Sequence, residues 1–407
     1  MVGGILDGIR IVDWTVYQVG PFATAMLADL GAEVIHIEEP EHGDLLRGNM
    51  TVGGVQLVRP GGRQLNFEEH NRNKKSIAID LKKSQGREAI YRLVAKSDIF
   101  VTNLRRAAIE KLGMDYNTLK GYNPSLIYAR ASGFGDTGPL TDKASLDFIG
   151  RARSGFALAG GDLDSPPHYI SPGVGDRLVS LYLVYGILAA LHARDKWGIG
   201  QEVSTSQLGS LISIQGFTIM PTLFQETPRE YPRQTAGTHP WREFYKCKDG
   251  KWIMVGFAEQ VGPRWGEFWK ALGMPELSTD PRYTSREGRA QHTEELGRLL
   301  KDVFAGKTRQ EWEEIFDKTD VLVTGCLEVS EVQHDPQVLA NDYITEWEHP
   351  VLGRIKFVGF PVQFSEMPPE LRMPAPELGQ HTEEVLTEIC DCTWEEVAKL
   401  KEGEVIP

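Results

Sequence analysis

Only four cysteines, Cys247, Cys326, Cys390 and Cys392, occur in 407 residues, too few and too scattered for a disulfide framework. They fit a reducing compartment, and a cytoplasmic location is the expectation. Basic charge is also short: 44 Lys plus Arg stand against 57 Asp plus Glu, a formal charge of -13. So acidic a surface repels a phosphate backbone, and nucleic acid is not expected as a partner. No basic start followed by an apolar run opens the chain, where Asp7 and Arg10 sit around a strand-like stretch, so no signal peptide is read. The longest apolar segment, Leu178 to Leu191, is shorter than the ~20 residues of a membrane span and carries Ser180, Tyr182 and Tyr185. It reads as a buried helix, and no membrane partner is expected.

Catalytic motifs of the commonest kinds are missing too. A Gly-x-Ser-x-Gly elbow, a Walker loop and a His-Glu-x-x-His helix are all absent, which removes the strongest sequence arguments for a serine hydrolase, a nucleotidase or a zincin. Cys390 and Cys392 lack the spacing of a zinc half-site, and nearby His381 reads as a cap or surface residue. No metal is expected. Neither internal repeats nor low-complexity tracts occur.

What is present is an alternation of strands and helices. With 41% hydrophobic residues the chain can bury a large core, in two domains or one discontinuous one. Ile9 to Trp14 reads as a strand, followed by Gly20-Pro21, a helix to Leu30 with Pro at its first position, Gly31, and the strand Val34 to Ile37. Strand-like Ser76 to Asp80, a helix from Ser84 to Lys96, strand Asp98 to Thr102, helices to Tyr122 and strand Leu126 to Ala131 continue the pattern. After Asp176 a helix runs to about Arg194, and Gln201 to Ser206 is strand-like. The predicted fold is α/β with a parallel sheet and right-handed crossovers.

From Gln225 onward the pattern changes. Pro228, Pro232 and Pro240 break it, Phe244 to Phe257 reads as a hairpin around Asp249-Gly250, and helices rich in Trp and charge follow. Short strands return near Val321, a Pro-rich stretch runs from Pro361 to Pro376, and a helix begins near Thr382. The expected division is 1–225 and 326–407 for a large domain, with a smaller α+β domain over 226–325.

Three features bear on chemistry. Gly133 to Gly138 matches the Gly-x-Gly-x-x-Gly dinucleotide fingerprint, but Pro139 to Asp147 is polar where a helix should follow and the region near Asp164 is turn-like, so a glycine-rich loop at the sheet edge is the better reading. Basic clusters, Arg72, Lys74 and Lys75 with Lys82 and Lys83, and Arg105 and Arg106 with Lys111, read either as a solvated face or as a site for the phosphates of a nucleotide. Asp176 follows Ser171-Pro172-Gly173-Val174-Gly175 ahead of an apolar helix; it suits a helix cap or a carboxylate nucleophile, and pattern alone does not choose.

Taken together, several segments resemble the class III CoA transferase family, which includes formyl-CoA and carnitine CoA transferases. They are Leu6 to Ile9 with Gln18 to Pro21, Asn73 to Ile77, Asn103, Gly175-Asp176 with Gly186 to Leu191, Gly200-Gln201, Asp280 to Tyr283, His334 to Pro336, and Gly379 to Thr382. They follow the family's order over nearly the whole chain. The resemblance implies an interlocked dimer, a doubly wound large domain built from both chain ends, and a small domain between. It implies that Asp176 attacks an acyl-CoA thioester, giving a mixed anhydride and then an aspartyl-CoA thioester before CoA passes to a carboxylic acid acceptor. Gln18 matches the family's glutamine beside the thioester, and Tyr17, Gln18, Ile79, Lys82, Asn103, Leu104, Lys111 and Phe134 fall where the family holds CoA. CoA is then a substrate, with no tightly bound cofactor implied.

Departures from formyl-CoA transferases are visible. Glu39 and Lys111 stand where arginines are usual, Ser132 replaces a lysine, Phe134 a tyrosine, and the small domain's glycine quartet is missing. Formate and oxalate are therefore not the expected substrates, and Trp14, Tyr17, Phe22 and the segment around Trp241 would suit a larger acceptor. A racemase of the same fold carries Gly-His-Asp where this chain has Ser145-Leu146-Asp147, and leucine exchanges no proton. An isomerase moving CoA within one dicarboxylic acid, and a non-catalytic partner subunit of a heteromeric transferase, are the remaining alternatives to a homodimeric transferase.

Overall fold

The computed structural model describes residues 4–48, 51–52, 55–159, 166–167, 171–224, 239–256 and 264–407. The sequence readings at Asp164, Gln225, Pro228, Pro232 and Phe257 lie outside the described residues. The chain divides into two units: Met1–Ala157, Tyr169–Arg229 and Asp342–Pro407 form the first, Leu158–His168 and Glu230–Asn341 the second.

The first unit begins with β1 (Arg10–Trp14), α1 (Val19–Asp29) and β2 (Glu33–Glu38). A short antiparallel pair, β3 (Thr51–Val52) and β4 (Val55–Gln56), and α2 (Leu65–Asn71) precede β5 (Lys74–Ala78). Then come α3 (Ser84–Ala95), β6 (Ile99–Thr102), α4 (Arg106–Lys111), α5 (Tyr116–Tyr122), β7 (Ile127–Ser132), α6 (Asp147–Arg153), α7 (Val174–Trp197), β8 (Glu202–Ser206), α8 (Gln207–Ser213) and α9 (Gly216–Leu223). Six strands form one sheet in the order β5-β2-β1-β6-β7-β8, all parallel.

Parallel strands covered on both faces need side chains that are apolar in both directions, and the central strands supply them. Ile11, Val34, Ile99, Val101, Ile127 and Ala129 pack on one face with Leu27 of α1 and Val179, Leu183 and Ile187 of α7. Val12, Ile35, Ile77, Phe100 and Tyr128 pack on the other with Ile90 and Leu93 of α3 and, from the chain's far end, Val397, Leu400 and Val405. Lys83 Nζ ties that end down by donating to the carbonyls of Gly403 and Glu404 at 2.8 and 2.9 Å. The winding direction reverses between β1 and β6, so the loops leaving their carboxyl ends diverge and open a crevice.

Two readings of local structure need correction. Pro21 is the third residue of α1, not the first, since the helix already begins at Val19; its missing N–H is still among those a helix start leaves unbonded. The α7 helix is 24 residues long, with Gly198 closing it in the left-handed conformation, and it is long and apolar enough to cross a membrane. It is buried on one face, where it packs on α1 and β7, while Leu181, Tyr185 and Leu188 are exposed on another. Its apolarity thus serves the sheet on one side only.

In the second unit, Arg242–Lys246 and Trp252–Gly256 form the antiparallel hairpin, and Val323–Gly325 pairs with the latter. Helices pack on it through Trp265, Phe268, Trp269, Leu300, Phe304, Trp312 and Phe316, and Trp241 is buried in the same core. Strands Ile344–His349 and Gly353–Val358 pair in the first unit, where the helix starting at Thr382 runs into a π-helical turn, Val385–Ile389.

Candidate active site

The turn after β1 is built from below. Asp13 and Lys74, both fully buried, meet at 2.9 Å between Oδ2 and Nζ, and the ammonium also donates to the Pro21 carbonyl at 2.8 Å and to Asn71 Oδ1 at 2.9 Å. Burial alone would raise the Asp13 carboxyl, yet Lys74 and His36 hold it well below the ordinary carboxylate range. Above this pair, Tyr17 takes a positive φ of 66° and donates its N–H to the Asp44 carboxylate at 3.2 and 3.3 Å. Asn103, just past β6, accepts from the Val16 N–H at 2.9 Å and donates to the Val16 carbonyl at 2.7 Å. The two loops at the reversal point are therefore stitched together with Gln18 at their rim.

Asp176 enters from α7. It is the third residue of that helix, and Gly173 occupies the cap with φ 79° and no capping side chain of its own. The capping role falls instead to Asp147 of α6, whose carboxylate accepts the N–H groups of Gly173, Gly175 and Asp176 at 3.2, 2.7 and 3.3 Å. The helix-cap reading of Asp176 is thereby overturned: another carboxylate serves the N-terminal N–H groups, leaving the Asp176 side chain for other work. A Cβ at Gly173 would sit 2.7 Å from Gln18 Oε1, so glycine there lets the Gln18 amide close on the turn that carries Asp176.

The Asp176 carboxylate is part-buried and accepts a hydrogen bond at Oδ1 from Gln207 Nε2, 2.6 Å away. Burial pushes its pKa up to about 6, with the nearby charge of Asp147 adding to the rise and the Gln207 bond opposing it. It stands at the foot of a cleft of about 530 Å³ lined among others by Tyr17, Gln18, Asn103, Arg106, Ser145 and Gln207. Arg130, at the end of β7, also lines it and pairs with Asp136.

Of the residues singled out from sequence, Tyr17, Gln18, Asn103, Leu104 and Asp176 line this cleft. Ile79, Lys82 and Leu104 line a second hollow of about 230 Å³ along with Trp14, Glu39 and Leu112, and Val16 and Leu104 belong to both. Lys111 is exposed at the end of α4 and Phe134 is half-buried in the loop after β7; neither lines either hollow. Within the first basic cluster, Arg72, Lys74 and Lys75 are neither a solvated face nor a phosphate site, since Arg72 pairs with buried Asp29 at 2.6 Å, Lys74 with Asp13, and Lys75 with Glu33 and Glu384. Lys83 is engaged by the carbonyls of Gly403 and Glu404, and Lys82 alone stays exposed beside a hollow. Arg105 and Arg106 do line the cleft. Phe22 lies 3.7 Å beneath the Arg177 guanidinium and does not line the cleft, and Trp241 is buried in the second unit's own core. Among the described residues, no cluster of three or more His, Cys, Asp or Glu is arranged to hold a metal.

Sequence pattern marks Ser145 and Asp147 only as the counterpart of a racemase motif, with Asp147 the alternative base there, and it does not mark Gln207 as a site residue. The signal was slight: a glutamine directly after a strand, behind the capping Ser206, that the fold buries.

Residues 6–382, which hold the doubly wound sheet and the part-buried Asp176 carboxylate at its crevice, match the model of CoA-transferase family III. The chain belongs to that family of enzymes. It is 32% identical over 402 residues to succinyl-CoA–D-citramalate CoA-transferase of Chloroflexus aurantiacus, covering 98% of each chain. It is also 32% identical over 409 residues to (R)-2-hydroxy-4-methylpentanoate CoA-transferase of Clostridioides difficile, covering 99% of each. The crystal structure of a CAIB/BAIF family protein from Brucella suis superposes with a TM-score of 0.81 at 27% identity, over 95% of this chain and 100% of that one.

Proposed function

We propose that the chain moves CoA from an acyl-CoA donor to a carboxylic acid acceptor through covalent intermediates on Asp176. The observation that carries this reading is a carboxylate at the foot of the cleft, with one oxygen held by Gln207 and its capping duty taken over by Asp147. Asp176 Oδ2 attacks the thioester carbonyl carbon, the C–S bond breaks, and CoA leaves as thiolate. The thiolate then attacks the aspartyl carbon of the mixed anhydride and expels the donor acid, leaving an aspartyl-CoA thioester. The acceptor carboxylate attacks the same carbon and releases CoA thiolate, which finally attacks the acceptor's carbonyl and frees Asp176. Each step exchanges one acyl bond for another of similar energy, so a difficult reaction is divided into tractable ones. A pKa near 6 makes Asp176 more basic than an ordinary aspartate yet leaves it ionised at pH 7.

Gln18, at the start of α1, is proposed to donate to the oxyanion of the attacked thioester. Tyr17, Asn103 and Leu104 in one hollow and Ile79 and Lys82 in the other suit the CoA moiety; Lys111 and Phe134 keep that role on family resemblance alone. Racemisation is disfavoured by the same geometry: Leu146 lines the cleft where a proton-exchanging group would be needed, and the Asp147 carboxylate is engaged with three N–H groups.

The relatives named above act on citramalate and a branched hydroxy acid, so a substituted acid larger than formate is the proposed acceptor. A homodimer, interlocked as in the family, is proposed to cover the exposed apolar residues of α7 and α9, Leu181, Tyr185, Phe217 and Leu223 among them. Four free thiols support a cytoplasmic location. Mass spectrometry of the protein incubated with a panel of acyl-CoA thioesters tests the mechanism: a CoA adduct on the peptide containing Asp176, absent from Asp176→Ala, is the expected result. Full activity in Asp176→Ala would end it.

A further inference from the structure

Gln207 is buried and begins α8 directly after β8, with its amide between two partners. Nε2 donates to Asp176 Oδ1 at 2.6 Å, and Oε1 accepts from Ser145 Oγ at 2.5 Å. An ionised carboxylate only accepts, which fixes the sense of the amide with Nε2 toward Asp176, and the Ser145 hydroxyl, able to donate or accept, gives its proton to the Oε1 so presented. The stem is packed as well: a Cβ at Gly150 of α6 would sit 2.9 Å from Gln207 Cβ, so α6 lies directly against it.

We infer that Gln207 is a catalytic residue whose Nε2–H stays on the aspartyl carbonyl oxygen through the cycle, and that Ser145 is the positioning residue that fixes its direction. The inference rests on Asp176 being the nucleophile. If Oδ2 forms the bond to the donor acyl carbon, Oδ1 becomes the carbonyl oxygen of the anhydride. When CoA thiolate adds to the aspartyl carbon, the C=O electron pair moves onto Oδ1, beside the Gln207 donor; when the donor carboxylate leaves with Oδ2, the pair returns and the thioester carbonyl re-forms. Addition of the acceptor carboxylate repeats the event with CoA thiolate as leaving group. Charge develops on Oδ1 twice per turnover, at a group already held by a fixed donor in a part-buried site, which is the arrangement that stabilises such transition states most. Gln18 would then serve the substrate's carbonyl and Gln207 the enzyme's own.

The test compares Gln207→Met, Ser145→Ala and Ser145→Thr with Asp176→Ala in steady-state assays with an acyl-CoA donor and a carboxylate acceptor from pH 5 to 8. Loss of an oxyanion donor costs roughly 10²-fold or more in kcat, so Gln207→Met should lose about that much with KM for the acyl-CoA changed by less than about threefold. Since the Gln207 bond holds the Asp176 pKa down, the acid limb of the profile should move to higher pH, which a merely structural role would not cause. Ser145→Ala should lose about tenfold and shift the limb the same way, and Ser145→Thr should restore both. A Gln207→Met enzyme with wild-type kcat, or one slowed with an unmoved acid limb, overturns the inference. Should Gln207→Met fail to unfold cooperatively, the two Ser145 variants decide, and wild-type kinetics in Ser145→Ala overturn it. Activity in Asp176→Ala would locate the failure in the nucleophile assignment; an inactive Asp176→Ala beside a normal Gln207→Met would locate it in the role of Gln207.

Discussion

Replacing Asp176 by asparagine should make the protein more stable while abolishing transfer. In the folded chain the carboxyl pKa rises from 3.8 to about 6, chiefly through burial. At roughly 1.4 kcal/mol per unit, ionising this group in the fold costs up to about 3 kcal/mol, or on the order of 1–2 kcal/mol once its partial exposure is allowed for. The sign follows from linkage: the folded state binds the proton more tightly than the unfolded one, so the penalty is absent below the unfolded value near 4 and complete above about 6. Asparagine keeps the shape and an acceptor for Gln207 Nε2, and it is never charged. Urea unfolding followed by far-ultraviolet circular dichroism should show Asp176→Asn ahead by on the order of 1–2 kcal/mol at pH 8, with the lead shrinking as the pH falls through 6 toward 5. The same ionisation should appear in catalysis as an acid limb centred near pH 6 in the wild-type rate. A variant no more stable than wild type at pH 8, or a lead independent of pH, would refute the reasoning.

Hydroxylamine should inactivate the enzyme only when an acyl-CoA donor is present, because it attacks an activated aspartyl ester or thioester; loss of activity is read in a transfer assay, and protection from inactivation with every competent donor would count against the covalent route. In deuterium oxide, transfer to an added carboxylic acid should leave the α-carbon of a 2-methylacyl-CoA unlabelled by mass spectrometry, whereas rapid exchange without acceptor would favour a racemase. Lys74→Met should cost about 3–5 kcal/mol in urea unfolding by leaving Asp13 buried without its ammonium, and pairing it with Asp13→Leu should recover much of the loss. Equal stability of Lys74→Met and wild type would show that the pair contributes nothing to the fold.

The sheet was legible because covering both faces leaves a plain mark, the near-continuous Ile and Val of Ile11-Val12, Val34 to Ile37, Ile99 to Val101 and Ile127. Element ends were less so, as at Val19, where the helix starts two residues before its proline. Polar partnerships were the hardest to read, because they join residues distant in sequence. Arg72, Lys74 and Lys75 look like one basic cluster along the chain, yet the end of α2 and the start of β5 turn them toward Asp29, Asp13 and Glu33 on neighbouring elements. Gln207 meets Asp176 across 31 residues and Ser145 across 62, and Asp147 reaches Gly175 across 28. No local pattern encodes such contacts.

Those distant contacts also explain how two carboxylates near one helix end are given different work. The N–H groups at the start of α7, which have no partner within the helix, draw negative charge, and an aspartate at the helix start would ordinarily satisfy them itself. Had Asp176 done so, its oxygens would be tied up in capping bonds and its basicity lowered, both adverse to a nucleophile. Asp147 accepts those N–H groups and pairs with Arg151 at 3.4 Å, while its fixed negative charge so close by makes Asp176 harder to ionise. One substitution would therefore disturb both functions: removing the Asp147 charge lowers the Asp176 pKa and also frees the N–H groups to take Asp176 as their cap. Asp147 would thus act on Asp176 through the helix start and through its charge, as a residue that need never touch the substrate.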